Sequence, residues 1–471
     1  MAVVFGKDTF IVCRNSQGTE IRATSLRLTR YLVVFEVYNP YSILQLSEVL
    51  TEFRIFMNEK PVYSGRAVVS NLVNTGIFLV CEASLEDAWL DVDLFSPVQK
   101  AESLESEFGK FLKEWEKVQV VTPDFKVAIA DMQTLLVDLR HWLEQVEFGI
   151  RSEPTGDRLQ REREVVERLK EPFFMRVAEL GERFEAIANT IPEDLQPTHR
   201  AYGRRQIHPL ILCAPFLYRT FQKPLGYAGD YEMVRMILRD PLEGTSLFAK
   251  MINFYFWNIA PAEAHRNRIK YLTERLREET RRGAALGRST RIFNLGCGPA
   301  QEVLNFLTQD DVCERANLTL LDFNDETLSA TQQSIESVRS RFNRRTPVNL
   351  VKKSVNQILK ETMRPEERTM GSNFDMIYCA GLFDYFSDKI CKRLMNQFYE
   401  MLAPGGLLVA TNVDSSNPAR QQMEYFMEWH LVYRNAAQLG ALAPEKAVDH
   451  QVKADSTGVN IFIEVRRPEN G

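Results

Sequence analysis

Two glycines and an aspartate in the second half of the 471-residue chain have the types and spacing of a ligand-binding turn. Residues 291–303 read as a buried strand, a sharp turn at Gly296 and Gly298, and the start of a helix. Asp322 closes the next apolar run. Glycines let a backbone approach a ligand, and an acid after the next strand can accept hydrogen bonds from both ribose hydroxyls. This pattern predicts a nucleotide-type cofactor on a doubly wound sheet.

The residue at position 301 separates two classes of cofactor. A dinucleotide fingerprint would place a third glycine there, where this chain has Gln301. That glycine allows close packing around a pyrophosphate, so a cofactor without phosphate has less need of it. S-adenosylmethionine is such a cofactor, and the sequence favours it over a dinucleotide.

On these residues the chain resembles the class I S-adenosylmethionine-dependent methyltransferases, whose first motif is a strand ending in G-x-G. Further pieces follow in that family's order, including a fourth strand at 374–379 and a Pro-Gly-Gly turn at 404–406 before a fifth. The resemblance implies an α/β fold with a Rossmann-like class I methyltransferase sheet. It also implies a set of cofactor-binding residues: Asn294, Gly296, Gly298, Asp322, Asn324, Asn356, Ala380 and Gly381. Asn294 stands where the family often has an acid, and Asn356 could instead cap a helix.

The loop 226–231, Gly-Tyr-Ala-Gly-Asp-Tyr, is too polar and glycine-rich for a core segment and could close over a ligand. Together with His-Arg-Asn-Arg at 265–268 and the glycine turn, it resembles the bacterial 3-hydroxypalmitic acid methyl ester synthases, which make a fatty-acid methyl ester used as a quorum signal. The resemblance implies a small-molecule acceptor, with a fatty-acid carboxylate favoured. The residues assigned to the reaction are Tyr227, Tyr231, His265 and Tyr385 as catalytic, and Asp230, Arg268 and His430 for the substrate.

The acceptor decides which of these groups the chemistry needs. A sulfonium methyl is already activated, so the protein mainly has to align an acceptor oxygen with it. A carboxylate is ionised at neutral pH and needs no strong base, whereas a hydroxyl or amine would need one, such as His430 or Asp384. No metal is expected. Arg268 could hold the carboxylate or lie on a solvated surface.

The elements that position these residues fall into three expected domains. Residues 255–471 are the methyltransferase domain, with alternating strands and helices, a helix at 423–433 and a last antiparallel strand at 458–465. Residues 98–254 are a helical connector and lid region, in which Phe108, Phe111, Leu112 and Trp115 recur at helical spacing. This region is also a candidate homodimer surface.

Residues 1–97 are β-rich, with aromatic and β-branched runs at 31–38, 52–56 and 76–81 that predict a small barrel or sandwich. The segment resembles a PilZ-type barrel, a family that can bind a cyclic dinucleotide. Its arginines, Arg22, Arg27 and Arg30, do not have that family's spacing, which favours a degenerate, non-binding interaction domain.

Composition excludes several functions. A net charge of -5 does not suit a general nucleic-acid binder. The seven cysteines lack disulfide or zinc-site spacing and indicate a reducing cytoplasm. Neither a signal peptide nor an apolar run long enough to span a bilayer is expected.

Two other functions compete with the small-molecule methyltransferase. The first is a catalytically inactive, cofactor-binding regulator whose β-rich domain senses a ligand, although Gly296 and Asp322 are both retained. The second is a nucleic-acid methyltransferase, which is disfavoured because the sequence after the fourth strand is Cys-Ala-Gly-Leu at 379–382 instead of an N-P-P-Y-like tetrad.

Overall fold

The computed structural model describes residues 9–38, 44–57, 60–75, 78–87, 105, 108–109, 112–113, 120–152, 157–363 and 371–469. The strands are β1 Thr9–Arg14, β2 Glu20–Thr29, β3 Leu32–Tyr38, β4 Val49–Met57, β5 Lys60–Asn74, β6 Phe78–Leu85, β7 Thr290–Leu295, β8 Ala316–Asp322, β9 Val348–Lys352, β10 Phe374–Cys379, β11 Leu402–Val413, β12 His450–Ala454 and β13 Asn460–Arg466. The α-helices are α1 Pro123–Ser152, α2 Arg158–Ala188, α3 Gln196–Ile211, α4 Pro215–Gln222, α5 Tyr231–Leu238, α6 Leu247–Asn258, α7 Ala260–Ala285, α8 Gln301–Gln309, α9 Asp325–Phe342, α10 Val355–Met363, α11 Asp388–Met401, α12 Arg420–Phe426 and α13 Ala436–Gly440. Within these ranges, no helix has the length and apolar character needed to cross a membrane. The predicted helical positions Phe111 and Trp115 lie outside the described residues.

Two compact units divide the chain. The first comprises Met1–Ala228, Pro241–Phe256 and Ala419–His430, and the second comprises Gly229–Asp240, Trp257–Pro418 and Leu431–Gly471. The division into domains at 1–97, 98–254 and 255–471 stays a prediction.

The first unit contains a closed antiparallel barrel with the strand order β1-β2-β3-β6-β5-β4. Burial alternates along β1, where Ile11 and Cys13 face the core, as a pleated strand with one solvated face requires. Phe35 and Phe53 fill the interior with ring centroids 6.0 Å apart. The predicted choice between barrel and sandwich is therefore resolved as a barrel, since β1 pairs with β4 and leaves no free edge.

The helical part of the first unit packs around aromatic side chains. Phe125 of α1 lies 5.8 Å from Phe184 of α2, and Phe184 stacks on Phe426 of α12 at 4.9 Å, all between ring centroids. The predicted helix at 423–433 is wrong in its second half, because α12 ends at Phe426. The chain turns at Glu428, which has a φ of 48° and a buried carboxylate bonded to Arg204. These buried polar contacts replace the helical ladder.

The second unit is built on a seven-stranded sheet with the order β12-β13-β11-β10-β7-β8-β9. The strands from β11 to β9 are parallel, and β13 pairs antiparallel with β11 and β12. The predicted α/β fold with a Rossmann-like sheet is confirmed. The strand order reverses between β7 and β10, and such sheets bind ligands in the crevice outside the carboxyl ends at that point. The glycine turn after β7 and Gly381 after β10 both lie at this end of the sheet.

Candidate active site

The glycine turn after β7 has the open backbone geometry that a bound cofactor requires. Gly296 and Gly298 have φ values of 71° and 51°, in the left-handed region that glycine adopts without strain. The N–H groups of Gly296 and Cys297 both donate to the Leu321 carbonyl at 2.9 Å, which ties the turn to β8. A Cβ added at Gly298 would meet no atom within 4 Å. The space above this residue is therefore open to a ligand.

Asp322 at the end of β8 is bonded to the same turn. One carboxylate oxygen accepts from the Gly298 N–H at 3.1 Å, and the other accepts from the Asn324 N–H at 3.0 Å. Burial raises the pKa of Asp322, and the backbone donors oppose that shift. A carboxylate has about four lone-pair positions, so Asp322 keeps acceptor capacity for a ligand hydroxyl.

The two predicted asparagines after β8 and β9 have different local roles. Asn324 caps α9 by accepting from the Thr327 N–H at 2.9 Å. Asn356 lies in the first turn of α10, where the cap is made by Ser354 and Gln357: the Gln357 N–H donates to the Ser354 hydroxyl at 3.3 Å, and the Ser354 N–H donates to the Gln357 amide oxygen at 2.8 Å. The capping function thus belongs to Ser354, and a cofactor role for Asn356 stays a prediction.

The end of β10 brings a cation to the same edge of the sheet. Ala380 is half-buried, and Gly381 has a φ of 75° with its N–H donated to the Thr411 hydroxyl at 2.9 Å. A Cβ at Gly381 would lie 2.7 Å from a guanidinium nitrogen of Arg268. The glycine is therefore needed both for the backbone conformation and for the approach of Arg268.

Arg268 and His265 form one group on α7. A guanidinium nitrogen of Arg268 donates to the His265 ring at 3.1 Å. Burial lowers the pKa of His265 well below its usual value, and the charges of Arg268 and Arg266 act in the same direction. Burial also lowers the pKa of Arg268, and the Asp384 carboxylate opposes that shift most strongly. His265 is therefore a neutral acceptor at pH 7, and Arg268 is the cation.

The turn that follows β10 contains the predicted Tyr385 and the candidate base Asp384. Tyr385 is half-buried. Asp384 is buried and accepts from the Val413 N–H at 2.7 Å. Burial raises the pKa of Asp384 while the Val413 bond and Arg268 oppose the rise. Asp384 thus ties the turn to the end of β11, and its function as a base stays a prediction.

The loop 226–231 has the two left-handed glycines that a tight turn requires, with φ values of 82° at Gly226 and 76° at Gly229. Residues up to 228 belong to the first unit, with half-buried Tyr227 among them, and 229–231 belong to the second. Asp230 caps α5 by accepting from the Met233 N–H at 2.8 Å. The substrate role of Asp230 stays a prediction.

Tyr231, at the second unit's end of this loop, has a specific polar partner. Its hydroxyl donates to Glu326 of α9 at 2.8 Å, and Arg235 lies over its ring at 5.1 Å from the centroid. Burial and the Glu326 carboxylate raise the pKa of Tyr231. The hydroxyl therefore stays protonated at neutral pH.

His430 belongs to the first unit and is buried. The Ser47 hydroxyl donates to its carbonyl at 2.8 Å, and its Nδ1 lies 3.7 Å from Glu424. Burial lowers the pKa of His430 to about 4, although Glu424 acts in the opposite direction. A neutral imidazole with this pKa is a weak general base at pH 7.

Glu302 and Tyr378 of the second unit were not singled out in the sequence, and they lie beside the predicted Asn294. Glu302 of α8 is 7% exposed, and the hydroxyl of Tyr378 of β10 donates to its carboxylate at 2.7 Å. Asn294 is 2% exposed, and its amide oxygen has no hydrogen-bond partner among the described residues. A glutamate directly after a glycine turn and a tyrosine inside a buried strand are weak signals, because both types are common on half-buried faces.

Two further kinds of site, a second cavity and a metal site, both have less support than the glycine turn. A cavity of about 510 Å³ lies at the amino ends of the strands, lined by residues that include Arg291 and Arg339, whereas α/β sheets place ligands at the carboxyl ends. Over the described ranges, no three His, Cys, Asp or Glu side chains come together as a candidate metal site.

Comparisons with known proteins agree with this geometry. Residues 264–454 match a family model described as a methyltransferase domain. No curated protein is significantly similar in sequence. Similar solved structures include a possible exported protein from Bordetella parapertussis, with 15% identity over 63% of this chain and 96% of that one and a TM-score of 0.42. The N-methyltransferase NodS from Bradyrhizobium japonicum, in complex with S-adenosylhomocysteine, has 16% identity over 53% and 100% of the two chains and a TM-score of 0.30.

A third similar structure is magnesium protoporphyrin IX methyltransferase from Synechocystis with bound SAH, with 9% identity over 50% of this chain and 91% of that one and a TM-score of 0.34. With TM-scores this low, none of the three structures decides the function. The family match, by contrast, covers β7, the glycine turn, Asp322 and Gly381. Residues 264–454 are therefore similar to a methyltransferase domain over the elements that build this site.

Proposed function

We propose that the chain is an S-adenosylmethionine-dependent methyltransferase that methylates a carboxylate oxygen of a small molecule. The observation that carries this proposal is the bond between Asp322 and the Gly298 N–H, because it joins an acid to an open glycine turn. An acid in that position can accept from both hydroxyls of a ribose. The match of residues 264–454 to a methyltransferase domain supports the same cofactor.

The residues around the turn fit this cofactor. Gly298 leaves room for a ligand beside the backbone, and Asp322 retains acceptor capacity. Asn294 contributes a buried amide oxygen with no partner in the described part of the chain. We assign ribose binding to Asp322, close backbone approach to Gly296 and Gly298, and adenine contacts to Asn356. The absence of a third glycine at Gln301 is consistent with a cofactor that has no pyrophosphate.

The acceptor is a carboxylate in this proposal because the second unit places a cation at the carboxyl end of the sheet. Arg268 lies against Gly381 at the carboxyl end of β10. His265 has a strongly lowered pKa, so it is a weak general base at neutral pH. A guanidinium can bind a carboxylate through paired hydrogen bonds. The resemblance to 3-hydroxypalmitic acid methyl ester synthases extends the proposal to a 3-hydroxy fatty acid.

The reaction then needs alignment more than proton transfer. When bound at the glycine turn, S-adenosylmethionine would supply an activated methyl carbon to the acceptor oxygen. Arg268 orients the acceptor carboxylate, while Tyr231 and Tyr385 of the same unit shape the space around it. No proton leaves the acceptor, so the chain does not have to supply a base.

Calorimetry and a methyl-transfer assay test the proposal together. The protein should bind S-adenosylmethionine and should methylate 3-hydroxy fatty acids, with kcat nearly constant from about pH 6 to 9. Absence of binding at high micromolar concentration would refute the enzyme assignment. Binding without turnover on any acceptor would instead identify a cofactor-binding regulator. A steep rise of kcat near pH 6.5 would indicate a hydroxyl or amine acceptor and a histidine base.

Substitution of Arg268 tests the acceptor site separately. We expect Arg268→Gln to raise the KM of the carboxylic acid about 10- to 100-fold, since a hydrogen bond to a charged group contributes about 1.5–3 kcal/mol. The control is Arg277→Gln on the same helix, where Arg277 pairs with Glu274 and Asp310. An Arg268→Gln variant with unchanged KM and intact folding would exclude Arg268 from the acceptor site.

We further propose that the barrel is a degenerate PilZ-like interaction module. The closed six-stranded topology supports this assignment. The guanidinium of Arg22 lies over the Phe10 ring, 4.4 Å from its centroid. Arg22 is thus engaged within the barrel, although it is one of the arginines that a ligand would need. Calorimetry with a cyclic dinucleotide should show no binding, and micromolar binding would contradict the proposal.

A further inference from the structure

One face of the seven-stranded sheet is polar at the amino ends of three neighbouring strands. Arg291 of β7 is the register partner of Asn317 of β8, and Thr319 of β8 is the register partner of Asn349 of β9. Register partners in a parallel sheet, and residues two apart on one strand, lie on the same face. These four side chains therefore form one patch, which we name the amino-end patch.

The polar character of this patch differs from the rest of the parallel sheet, whose faces are covered and apolar as is usual for such sheets. On the same face, nearer to the carboxyl ends, Phe293 and Leu321 belong to a buried core cluster. On the opposite face, Ile292 and Leu318 belong to another. The amino-end patch instead lines the cavity of about 510 Å³, a volume typical of small-molecule pockets.

Arg291 is held in a defined position at this cavity. Its guanidinium donates to the Ser372 carbonyl at 2.8 Å and lies over the Phe374 ring, 5.0 Å from the centroid. The carboxylate of Asp375 accepts from the Arg291 backbone N–H and pairs with the Arg288 guanidinium. The Arg291 side chain therefore carries its charge without a carboxylate partner in the described part of the chain.

Arg339 of α9 contributes a second guanidinium to the same cavity. It donates to the Thr346 carbonyl, and its Nε is buried without an acceptor among the described residues. Within those ranges, no carboxylate forms an ion pair with Arg339. Most N–H donors of Arg291 and Arg339 therefore remain available, together with two positive charges. This combination favours an anionic ligand with several acceptor oxygens.

We propose that the amino-end patch and Arg339 bind a small phosphate monoester, at a site separate from the glycine turn. A phosphate monoester carries a charge of about −1.5 to −2 at pH 7, which matches two guanidiniums without carboxylate partners. The planar N–H pairs of guanidinium groups fit phosphate oxygens bidentately. Asn317, Thr319 and Asn349 offer amide and hydroxyl groups to the organic part of the ligand. Arg291 and Gly296 are about 16 Å apart along β7, so this ligand and the cofactor can bind at the same time.

Calorimetry of the full chain at low ionic strength tests the proposal, with glucose 6-phosphate as the probe and glucose as its uncharged counterpart. We expect submillimolar binding of glucose 6-phosphate, competition by inorganic phosphate, and no binding of glucose. Asp322→Asn should leave this binding unchanged, because the glycine turn is a different site. If the wild type bound neither glucose 6-phosphate nor inorganic phosphate at about 10 mM, the proposal would be overturned.

Substitutions in the cavity locate the site. Arg339→Gln and Arg291→Gln should each weaken glucose 6-phosphate about 10- to 100-fold, since each removes a charged donor of hydrogen bonds. The matched control is Arg341→Gln, because Arg341 is an exposed arginine of the same helix as Arg339 and does not line the cavity. Asn349→Asp, at an exposed position that should tolerate the change, should abolish binding by placing a negative charge beside the phosphate. Unchanged affinity in folded arginine variants, or an equal loss in Arg341→Gln, would show that the phosphate binds elsewhere or through general surface charge, and would refute the assignment.

Discussion

Replacement of Asp322 by asparagine separates the two tasks that this side chain has at the glycine turn. In the wild type, one carboxylate oxygen accepts from the Gly298 N–H and the other from the Asn324 N–H, at 3.1 and 3.0 Å. Asparagine offers one oxygen and one NH₂ group. One of the two backbone donors must then face another donor, and the charge that favours the ribose hydroxyls is lost.

The expected magnitudes follow from these contacts. A buried N–H without an acceptor costs about 1–3 kcal/mol, so the free energy of unfolding should fall by that amount. Each ribose hydroxyl exchanges a charged acceptor for a neutral one, a difference of about 1–1.5 kcal/mol per bond. Two such bonds correspond to a loss of cofactor affinity of about 30- to 150-fold.

The assay is calorimetric titration with S-adenosylhomocysteine, together with urea unfolding of the same preparation. The matched control is Asp375→Asn, because Asp375 is also buried and accepts from a backbone N–H, that of Arg291, at 2.8 Å. Asp375 is the second residue of β10 and lies at the amino end of that strand, away from the glycine turn, so this variant should lose stability and keep its affinity. If Asp322→Asn bound within about threefold of the wild type, the assignment of Asp322 to the ribose would be refuted.

Three further predictions concern the turn and the barrel. Gly298→Ala should lower the free energy of unfolding by about 1–2 kcal/mol because of its left-handed φ of 51°, and should weaken cofactor binding in calorimetry because the new methyl enters the open space. Ser47→Ala should cost about 1–3 kcal/mol in urea unfolding, since the backbone N–H and C=O of His430 both lose their buried partner. Glu48, with a pKa raised to about 7 chiefly by burial, keeps its proton in the folded state at pH values where the unfolded chain releases it. Wild-type stability should therefore fall relative to Glu48→Gln as the pH rises from about 4.5 to 7, by up to about 3 kcal/mol.

Two control variants make these predictions specific. Gly18 also has a left-handed φ, of 74°, with no atom within 4 Å of an added Cβ, so Gly18→Ala should cost similar stability and leave cofactor binding unchanged. Ser25 is buried, and its hydroxyl has no partner in the described part of the chain, so Ser25→Ala should be neutral or stabilising. A pH dependence that is the same in wild type and Glu48→Gln would show that Glu48 is not buried as a protonated acid.

The parts of the fold with strong local signals could be predicted from sequence. The glycines at 296 and 298 have left-handed backbone, and β7, β8 and β10 are rich in apolar residues because most of their positions on both faces of the parallel sheet are buried. Two other elements could not be predicted correctly because their local sequence signals are weak or ambiguous. Strand β12 is mostly exposed and has no apolar run. The aromatic residues at 423–433 predict one helix, but the helix ends at Phe426 and the rest of the segment is not helical.

The sequence by itself determined the glycine turn, the acid after the next strand and the positions of the parallel strands along the chain. Each of these features depends on neighbouring residues and on backbone preferences. Tertiary structure alone decided which side chains share the site. Arg268 reaches Gly381 across more than a hundred residues, and Tyr378 joins Glu302 to Asn294 inside the protein. Such contacts depend on how strands and helices pack, and residue spacing along the chain carries no record of that packing.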